Sequence, residues 1–190
     1  MGKVGKVVNN THWQRIFDLQ ASTKGKIILG GKGNKADRFI APTVIIDVLA
    51  DDPVVQGEIF GPILPVIKYG NAEDARHLQE SLSPTPLASY VFSDDIAQAN
   101  EIVAWSMAGT ASINDCMAQI APTSLPFGGF GGSGHGAYRG KATIDTFSHK
   151  QSLVTVPTAP EFEALLQWRY PYAESTQTAE FVKANLEAKL

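Results

Sequence analysis

Residues 125–150 constrain the fold of this chain more than any other stretch, because glycine is concentrated there. The segment is LPFGGFGGSGHGAYRGKATIDTFSHK and holds seven of the chain's 17 glycines. Such density indicates a backbone that turns sharply or closely approaches another group. A flexible Gly/Ser linker would lack bulky anchors, but large side chains alternate with these glycines, at Phe127, Phe130, His135, Tyr138 and Phe147. The pattern therefore predicts a tightly packed loop over residues 122–136.

Three of these glycines, Gly129, Gly131 and Gly134, match the G-x-G-x-x-G spacing of dinucleotide-binding loops. That motif holds phosphate only when a strand precedes it and a helix begins directly from it. The preceding residues contain Pro122 and Pro126, which do not suit a strand of a parallel sheet. We interpret the match as accidental.

Composition excludes several classes of protein. A chain of 190 residues with 44% hydrophobic residues and a net charge of -3 has the length and balance of one soluble globular domain. Its lysines lack the interleaved aromatic residues of a nucleic-acid surface, and no apolar run approaches the roughly 18 residues of a membrane span. We expect neither nucleic-acid nor membrane partners.

Cysteine and histidine usage narrows the chemistry further. The single cysteine, Cys116, excludes an intrachain disulfide and suits a reducing compartment, so we predict a cytoplasmic location. The four histidines show no metal-ligand spacing, so we predict no metal site.

The first part of the chain predicts a helix followed by strands. Residues 9–22 have a polar cap and an apolar face of Trp13, Ile16 and Phe17, typical of a helix. Two β-branched runs, 26–29 and 39–48, flank a Gly/Lys/Asn turn, and a third run covers 63–69.

The second part alternates between helix and strand. Asn71 caps a predicted helix with Ala75, Leu78 and Leu82 on its buried side. Strand 87–92, helix 93–107 and strand 109–114 form a predicted βαβ unit with parallel strands, and in that helix the inward residues are expected to be Ile96, Ala99, Val103 and Trp105. A short helix over 138–147, a strand over 153–156 and an amphipathic helix bearing Phe181, Val182 and Leu186 complete the prediction.

Two blocks of sequence resemble a known family. LPFGG followed by SGxG, Tyr138, Gly140 and FSHK, together with the upstream block QGEIFGP at 56–62, is similar to the aldehyde dehydrogenases. Flanking matches such as FIAPT at 39–43 and IND at 113–115 point to the class 3 and fatty aldehyde dehydrogenase branch. The resemblance implies an α/β fold: half of the catalytic domain over residues 1–157, with a mixed, mostly parallel sheet flanked by helices. A C-terminal tail with the amphipathic helix would occupy 158–190.

The resemblance also implies roles for individual residues. Glu58 and Phe60 match residues near the nicotinamide and its ribose, although a loop carboxylate bonded to backbone N–H groups and a packing phenylalanine are the alternatives. Substrate-channel positions are matched by Asn114, Cys116, Met117, Gln119 and Ile120, so Cys116 is not the family's nucleophile. His149 lies in the FSHK motif, where a structural role is the alternative.

The matched blocks include neither the family's Rossmann domain nor its nucleophile segment. We therefore expect no cofactor and no NAD(P)-dependent activity from the chain alone, with Glu58 and Phe60 meeting NAD(P) only if a partner supplies the Rossmann domain. Whether the chain is an enzyme at all stays open.

The first functional hypothesis is redox-independent acid/base chemistry of isomerase, cyclase or lyase type on a carbonyl-bearing or hydrophobic small molecule, with Glu58, Asp115 and His149 as candidates. The alternative is a non-catalytic subunit of, or a fragment from, an NAD(P)-dependent aldehyde dehydrogenase, partnering a full-length enzyme. We also expect a homo-oligomer, joined through residues 152–156 or the C-terminal helix.

Overall fold

The computed structural model describes residues 4–165. Backbone contacts divide the chain into two compact units, of which the first ends at Ser148 and the second begins at His149. The division between 157 and 158 stays a prediction. Among residues 4–165, no helix combines the length and hydrophobicity that a membrane crossing requires.

Helix α1, Asn10–Ser22, forms where the sequence predicts it. Asn9 caps it, because its side-chain oxygen accepts the His12 N–H at 2.8 Å. Trp13 and Ile16 are buried on the predicted face, and the Trp13 indole N–H donates to the Phe39 carbonyl at 2.9 Å. The helix is thus fixed to the strands by both apolar packing and a hydrogen bond.

The strands after α1 form two small sheets. Their bounds are β1 Lys26–Leu29, β2 Gly33–Asn34, β3 Phe39–Ile40, β4 Thr43–Ile46 and β5 Ile63–Pro65. In the first sheet, the order is β1-β4-β5, and β4 pairs antiparallel with β1 and parallel with β5. In the second sheet, β2 and β3 form a short antiparallel hairpin.

Two predicted strands are shorter than expected. The run over 39–48 is divided into β3 and β4 at Pro42, which has no N–H to donate to a ladder, and the run over 63–69 ends at Pro65. Proline thus divides the first run, and β4 itself ends before Asp47, whose φ of 56° is not a strand conformation.

The hydrophobic core lies between α1 and the β1-β4-β5 sheet. Its buried members all fall within residues 13–63: Trp13, Ile16, Ile40, Ile45, Val48, Val54 and Ile63. Thr43 and Gln20 are also buried there, and they satisfy each other through a side-chain hydrogen bond of 3.1 Å.

The predicted βαβ unit is confirmed. Its elements are β6 Ala88–Val91, α3 Ile96–Trp105 and β7 Thr110–Ile113, and β6 pairs parallel with β7 from Ala88↔Thr110 to Val91↔Ile113. Helix α3 begins later than predicted because Asp95 caps it, accepting the Gln98 N–H at 3.0 Å. Ala99 is fully buried, but Ile96 is half exposed, since it now stands in the first turn.

Burial in this second half is sparse. Helix α2, Ala72–Leu82, is capped by Asn71 as predicted, yet Ala75, Leu78 and Leu82 are only partly buried. Of the eight residues in β6 and β7, only Val91 is buried. Parallel strands are normally covered by helices on both faces, so this sheet is incompletely covered.

The glycine-rich loop is tightly packed, as predicted. A Cβ on Gly129 would overlap the Ser133 carbonyl, and one on Gly128 would overlap that of Gly136. The loop closes where Phe127 and Tyr138 exchange two backbone hydrogen bonds of 3.0 Å. Helix α4, Gly140–Phe147, follows, starting two residues later than predicted.

The second unit does not contain the predicted strand at 153–156. Residues 153–156 have no regular secondary structure, and Leu153 and Val154 are 86% and 80% exposed. A β-strand needs a neighbour for its backbone groups, and no strand among residues 4–165 pairs with this segment. Helix α5, Pro160–Leu165, comes next, whereas Phe181, Val182 and Leu186 lie outside the described residues. Self-association through this segment stays a prediction.

Asp52 fixes the end of α1 to the segment behind β4. Its carboxylate is 1% exposed and accepts hydrogen bonds from the Val54 and Lys24 N–H groups and the Thr23 hydroxyl. Burial raises the pKa of this carboxyl, but the hydrogen bonds together outweigh burial and hold the pKa below its ordinary value.

We expect Asp52→Ala to lower the free energy of unfolding by about 3 kcal/mol, because it leaves buried N–H groups unsatisfied. Asp51→Ala is the control: its bridge to Lys24, at 3.0 Å, is exposed and should contribute less than about 1 kcal/mol. Urea denaturation measures both, and equal losses would contradict the assignment.

The depressed pKa of Asp52 also predicts a pH dependence. Its stabilisation is fully present above the pKa of the unfolded state and is lost as pH falls through the lower folded pKa. Unfolding free energies measured from about pH 5 to pH 2 should therefore fall less steeply in Asp52→Asn than in the wild type. Identical slopes would show that another group governs acid unfolding.

Candidate functional site

Glu58 lies on the wall of a cleft of about 750 Å³. The opposite wall is formed by the segment between α2 and β6 and by the glycine-rich loop: Leu82, Ser83, Pro84, Thr85, Pro86, Leu87, Ala88, Gly132 and Ser133. The Gly132 N–H donates to the Thr85 hydroxyl at 3.1 Å and fixes the loop against this segment. The cleft therefore joins the two sequence blocks that carry the family resemblance.

The loop bearing Glu58 is held from behind by helix α1. Arg15 donates to the Ile59 carbonyl at 2.6 Å, and Gly61 passes so close to Ile16 that a Cβ would crowd its side chain. Phe60 has a φ of 50° and is 78% exposed. A non-glycine residue in this conformation costs about 1–2 kcal/mol, so the surroundings must enforce it.

Glu58 and Phe60 are both exposed. No residue within 4–165 donates a hydrogen bond to the Glu58 carboxylate. For both residues, contact with a nicotinamide and its ribose stays a prediction, as do the alternatives of a backbone-bonded carboxylate and a packed phenylalanine.

The phosphate end of a dinucleotide has no comparable site in the glycine-rich loop. The motif requires a strand before it, but Phe127, which precedes the match, makes only an isolated β-bridge. It also requires a helix that begins from it, but Gly131–Ser133 forms a single 3-10 turn. The interpretation of this match as accidental agrees with the geometry.

The predicted channel segment, residues 114–120, follows β7. Asn114 has a φ of 59° and pairs its side-chain amide with the backbone of Ser93, accepting the N–H at 2.8 Å and donating to the carbonyl at 2.9 Å. The amide is therefore engaged in joining the ends of β6 and β7. A direct substrate contact by Asn114 stays a prediction.

Tyr90 holds the middle of this segment. Its hydroxyl donates to the Met117 sulfur at 3.2 Å and accepts the Gln119 amide N–H at 3.2 Å, while the Gln119 Oε1 atom is buried with no partner among the described residues. Ile120 is partly buried, at the end of a 3-10 turn.

Asp115 and Cys116 are both exposed, and the Asp115 carboxylate accepts the Cys116 backbone N–H at 2.6 Å. This local turn occupies one carboxylate oxygen of Asp115.

His149 is exposed at the start of the second unit. Among residues 4–165, no cluster of histidine, cysteine and carboxylate side chains could hold a metal ion.

Asp115 is not among the residues that line the Glu58 cleft. The cleft is lined by residues 82–88, at the start of β6, and by Gly132 and Ser133, whereas Asp115 follows β7. Because β6 and β7 run parallel, the end of β7 lies about 13 Å along the strands from the start of β6. A shared acid/base role of Glu58 and Asp115 stays a prediction.

Sequence reasoning missed the residues that position the site. Arg15, Tyr90 and Arg139 act through contacts with distant parts of the chain, including Ile59, Gln119 and Ile120 respectively. Of these three residues, only Tyr90 could have been found from the sequence, because it lies in a predicted strand that pairs with the strand before the channel segment.

The described residues thus place a Glu-x-Phe loop and a glycine-rich loop at one cleft of an α/β unit. The sequence profile of the aldehyde dehydrogenase family matches residues 2–153, and the chain belongs to that family.

The relatives agree on the branch. The chain is 40% identical to aldehyde dehydrogenase family 3 comG of Dictyostelium discoideum over 83% of its own length and 32% of that protein. It is 37% identical to a bovine dimeric NADP-preferring aldehyde dehydrogenase, covering 89% of this chain and 69% of that one. The family 3 membership expected from the motifs is confirmed.

Solved structures of aldehyde dehydrogenases resemble this chain as well. The substrate-bound Staphylococcus aureus AldH superimposes with a TM-score of 0.70 at 31% identity, covering 86% of this chain and 38% of that one. An NAD-dependent aldehyde dehydrogenase from Sinorhizobium meliloti gives 0.71 at 26% identity, over 77% and 30%. The chain thus spans about a third of the length of most relatives it matches.

The Asn114 clamp can be tested with two substitutions. Asn114→Gly removes both hydrogen bonds to Ser93 but tolerates the positive φ, whereas Asn114→Ala removes them and adds backbone strain. We expect both to lower the unfolding free energy, with alanine worse by about 1 kcal/mol. Urea denaturation measures the difference, and a less stable glycine variant would contradict the left-handed conformation.

Proposed function

We propose that this chain acts as part of the catalytic domain of an NAD(P)-dependent aldehyde dehydrogenase, completed by polypeptide that supplies the cofactor domain and the nucleophilic cysteine. This develops the second hypothesis from the sequence. The chain's own contribution would be the Glu58 loop, the channel segment 114–120 and the glycine-rich loop.

The observation that carries the proposal is the uncovered parallel sheet. Only Val91 of β6 and β7 is buried, and large apolar side chains around it are exposed, with Phe92 at 64% and Met107 at 50%. A parallel sheet is stable when both faces are covered, and exposed apolar surface of this kind marks an interaction site. Further aldehyde dehydrogenase polypeptide is the partner whose fold matches this surface.

Within the completed site, bound NAD(P) would supply the hydride acceptor for aldehyde oxidation. Glu58 would accept hydrogen bonds from the ribose hydroxyls and orient the nicotinamide end. Phe60 would pack beside it and exclude water. Arg15 and Gly61 would keep this loop in place through Ile59 and Ile16.

The acid/base hypothesis receives less support. Asp115 does not line the Glu58 cleft, and one Asp115 oxygen is engaged by the Cys116 N–H. Isomerase, cyclase or lyase chemistry would need two such groups at one substrate. No contact of the described residues favours it.

A cytoplasmic location belongs to the same proposal and rests on the single cysteine of the chain. A homo-oligomer would be a further way to cover the exposed apolar surface. Light scattering of the purified chain, with and without the residues after Gln151, tests that alternative route.

The proposal predicts complementation. Co-expression with the N-terminal portion of a family 3 relative, containing its cofactor domain and nucleophile, should yield a complex that oxidises aldehydes with NAD(P). In that complex, Glu58→Gln should lower kcat about tenfold to a hundredfold, because the nicotinamide is less well oriented. Reduced-cofactor absorbance measures the rate.

Glu101→Gln is the matched control, since Glu101 is an exposed carboxylate on α3 away from the cleft. It should leave kcat unchanged. Failure of the two polypeptides to associate, or aldehyde oxidation that is indifferent to Glu58→Gln, would overturn the proposed role.

A further inference from the structure

Arg139 connects the channel segment to the glycine-rich loop. Its Nη1 atom donates to the Ile120 carbonyl at 2.6 Å and to the Pro122 carbonyl at 3.3 Å. The centre of its guanidinium lies 5.4 Å from the Phe127 ring and 5.7 Å from the Tyr138 ring. One side chain thus combines charge-assisted hydrogen bonds with two cation–π contacts.

The backbone of Arg139 is itself fixed. Its φ is 90°, a conformation that side-chain-bearing residues rarely adopt, and its N–H donates to the Thr143 hydroxyl in α4 at 2.7 Å. Phe127 and Tyr138 pack edge to face at 5.6 Å on either side of their backbone bridge. The guanidinium therefore extends from a rigid base.

Arg139 anchors the far end of the channel segment. Asn114 ties the beginning of the segment to Ser93, and Tyr90 holds Met117 and Gln119 in the middle. Among residues 4–165, the side-chain hydrogen bonds to the backbone of Ile120 and Pro122 are those that Arg139 donates.

We infer that Arg139 is a positioning residue that fixes residues 117–122 and so sets the bulk of aldehyde that the channel accepts. The second step rests on the proposed function, whereas the first concerns this chain alone. A guanidinium suits the task because its Nη1 atom carries two N–H groups for the two carbonyls while its planar face lies near the aromatic rings, and a lysine ammonium has no planar face.

Hydrogen exchange of the purified chain tests the first step. The Ile120 and Ala121 N–H groups donate to the Met117 and Ala118 carbonyls, so their exchange reports on the segment. Arg139→Gln should accelerate exchange there about tenfold, and Arg139→Lys, which keeps the charge and N–H donors but loses the planar guanidinium, should give an intermediate rate. Peptides from α1 should be unchanged in both.

Arg76→Gln is the matched control, because Arg76 is exposed and pairs with Glu80 one turn along α2. It should leave exchange at 117–122 as in the wild type. Unchanged exchange in both Arg139 variants, or equal acceleration in α1, would overturn the inference. The lysine variant retains the charge and decides the matter if the glutamine variant does not fold.

The completed enzyme tests the second step. There, Arg139→Lys should change KM for bulky aldehydes severalfold more than for small ones, with a smaller effect on kcat. A uniform effect on all aldehydes, despite altered exchange in the isolated chain, would overturn the selectivity step and leave the positioning step standing. Absence of any dehydrogenase activity in the wild-type complex would instead count against the proposed function.

Discussion

The packing of Ile16 against the β1-β4-β5 sheet is the contact on which the candidate site depends. Ile16 and Ile45 are completely buried, and Gly61 fits directly over Ile16. The same helix provides Arg15, whose hydrogen bond reaches the Ile59 carbonyl. Because one amphipathic helix organises both the core and the Glu58 loop, loss of core packing would displace the loop as well.

Buried residues are unevenly distributed along the first unit. The core cluster lies within residues 13–63, whereas the βαβ unit buries only Val91, Ala99 and Ser106. The βαβ unit and its loops nevertheless form one wall of the Glu58 cleft and bear the channel segment. The part of the chain with the least core of its own therefore carries most of the matched active-site elements, consistent with a surface that another polypeptide covers.

Local signals predicted much of this fold. The caps at Asn9 and Asn71, the parallel β6–β7 pair and the packed glycine loop were all accessible from short motifs. Strand lengths were less accessible, because proline ended pairing within apolar runs. The strand expected at 153–156 is not formed, since β-branched residues favour extension but pairing requires a neighbour.

The sequence alone determined the family, the α/β class and the identity of the Glu58 loop, because glycine spacing and the E-x-F-G-P block are local constraints on the backbone. Only the tertiary structure decided which candidate residues share a site. It engaged Asn114 with Ser93, brought Glu58 to the segment between α2 and β6, and brought Arg139 to Ile120. These are contacts between segments far apart in the chain, and they follow from strand direction and packing, which no local pattern encodes.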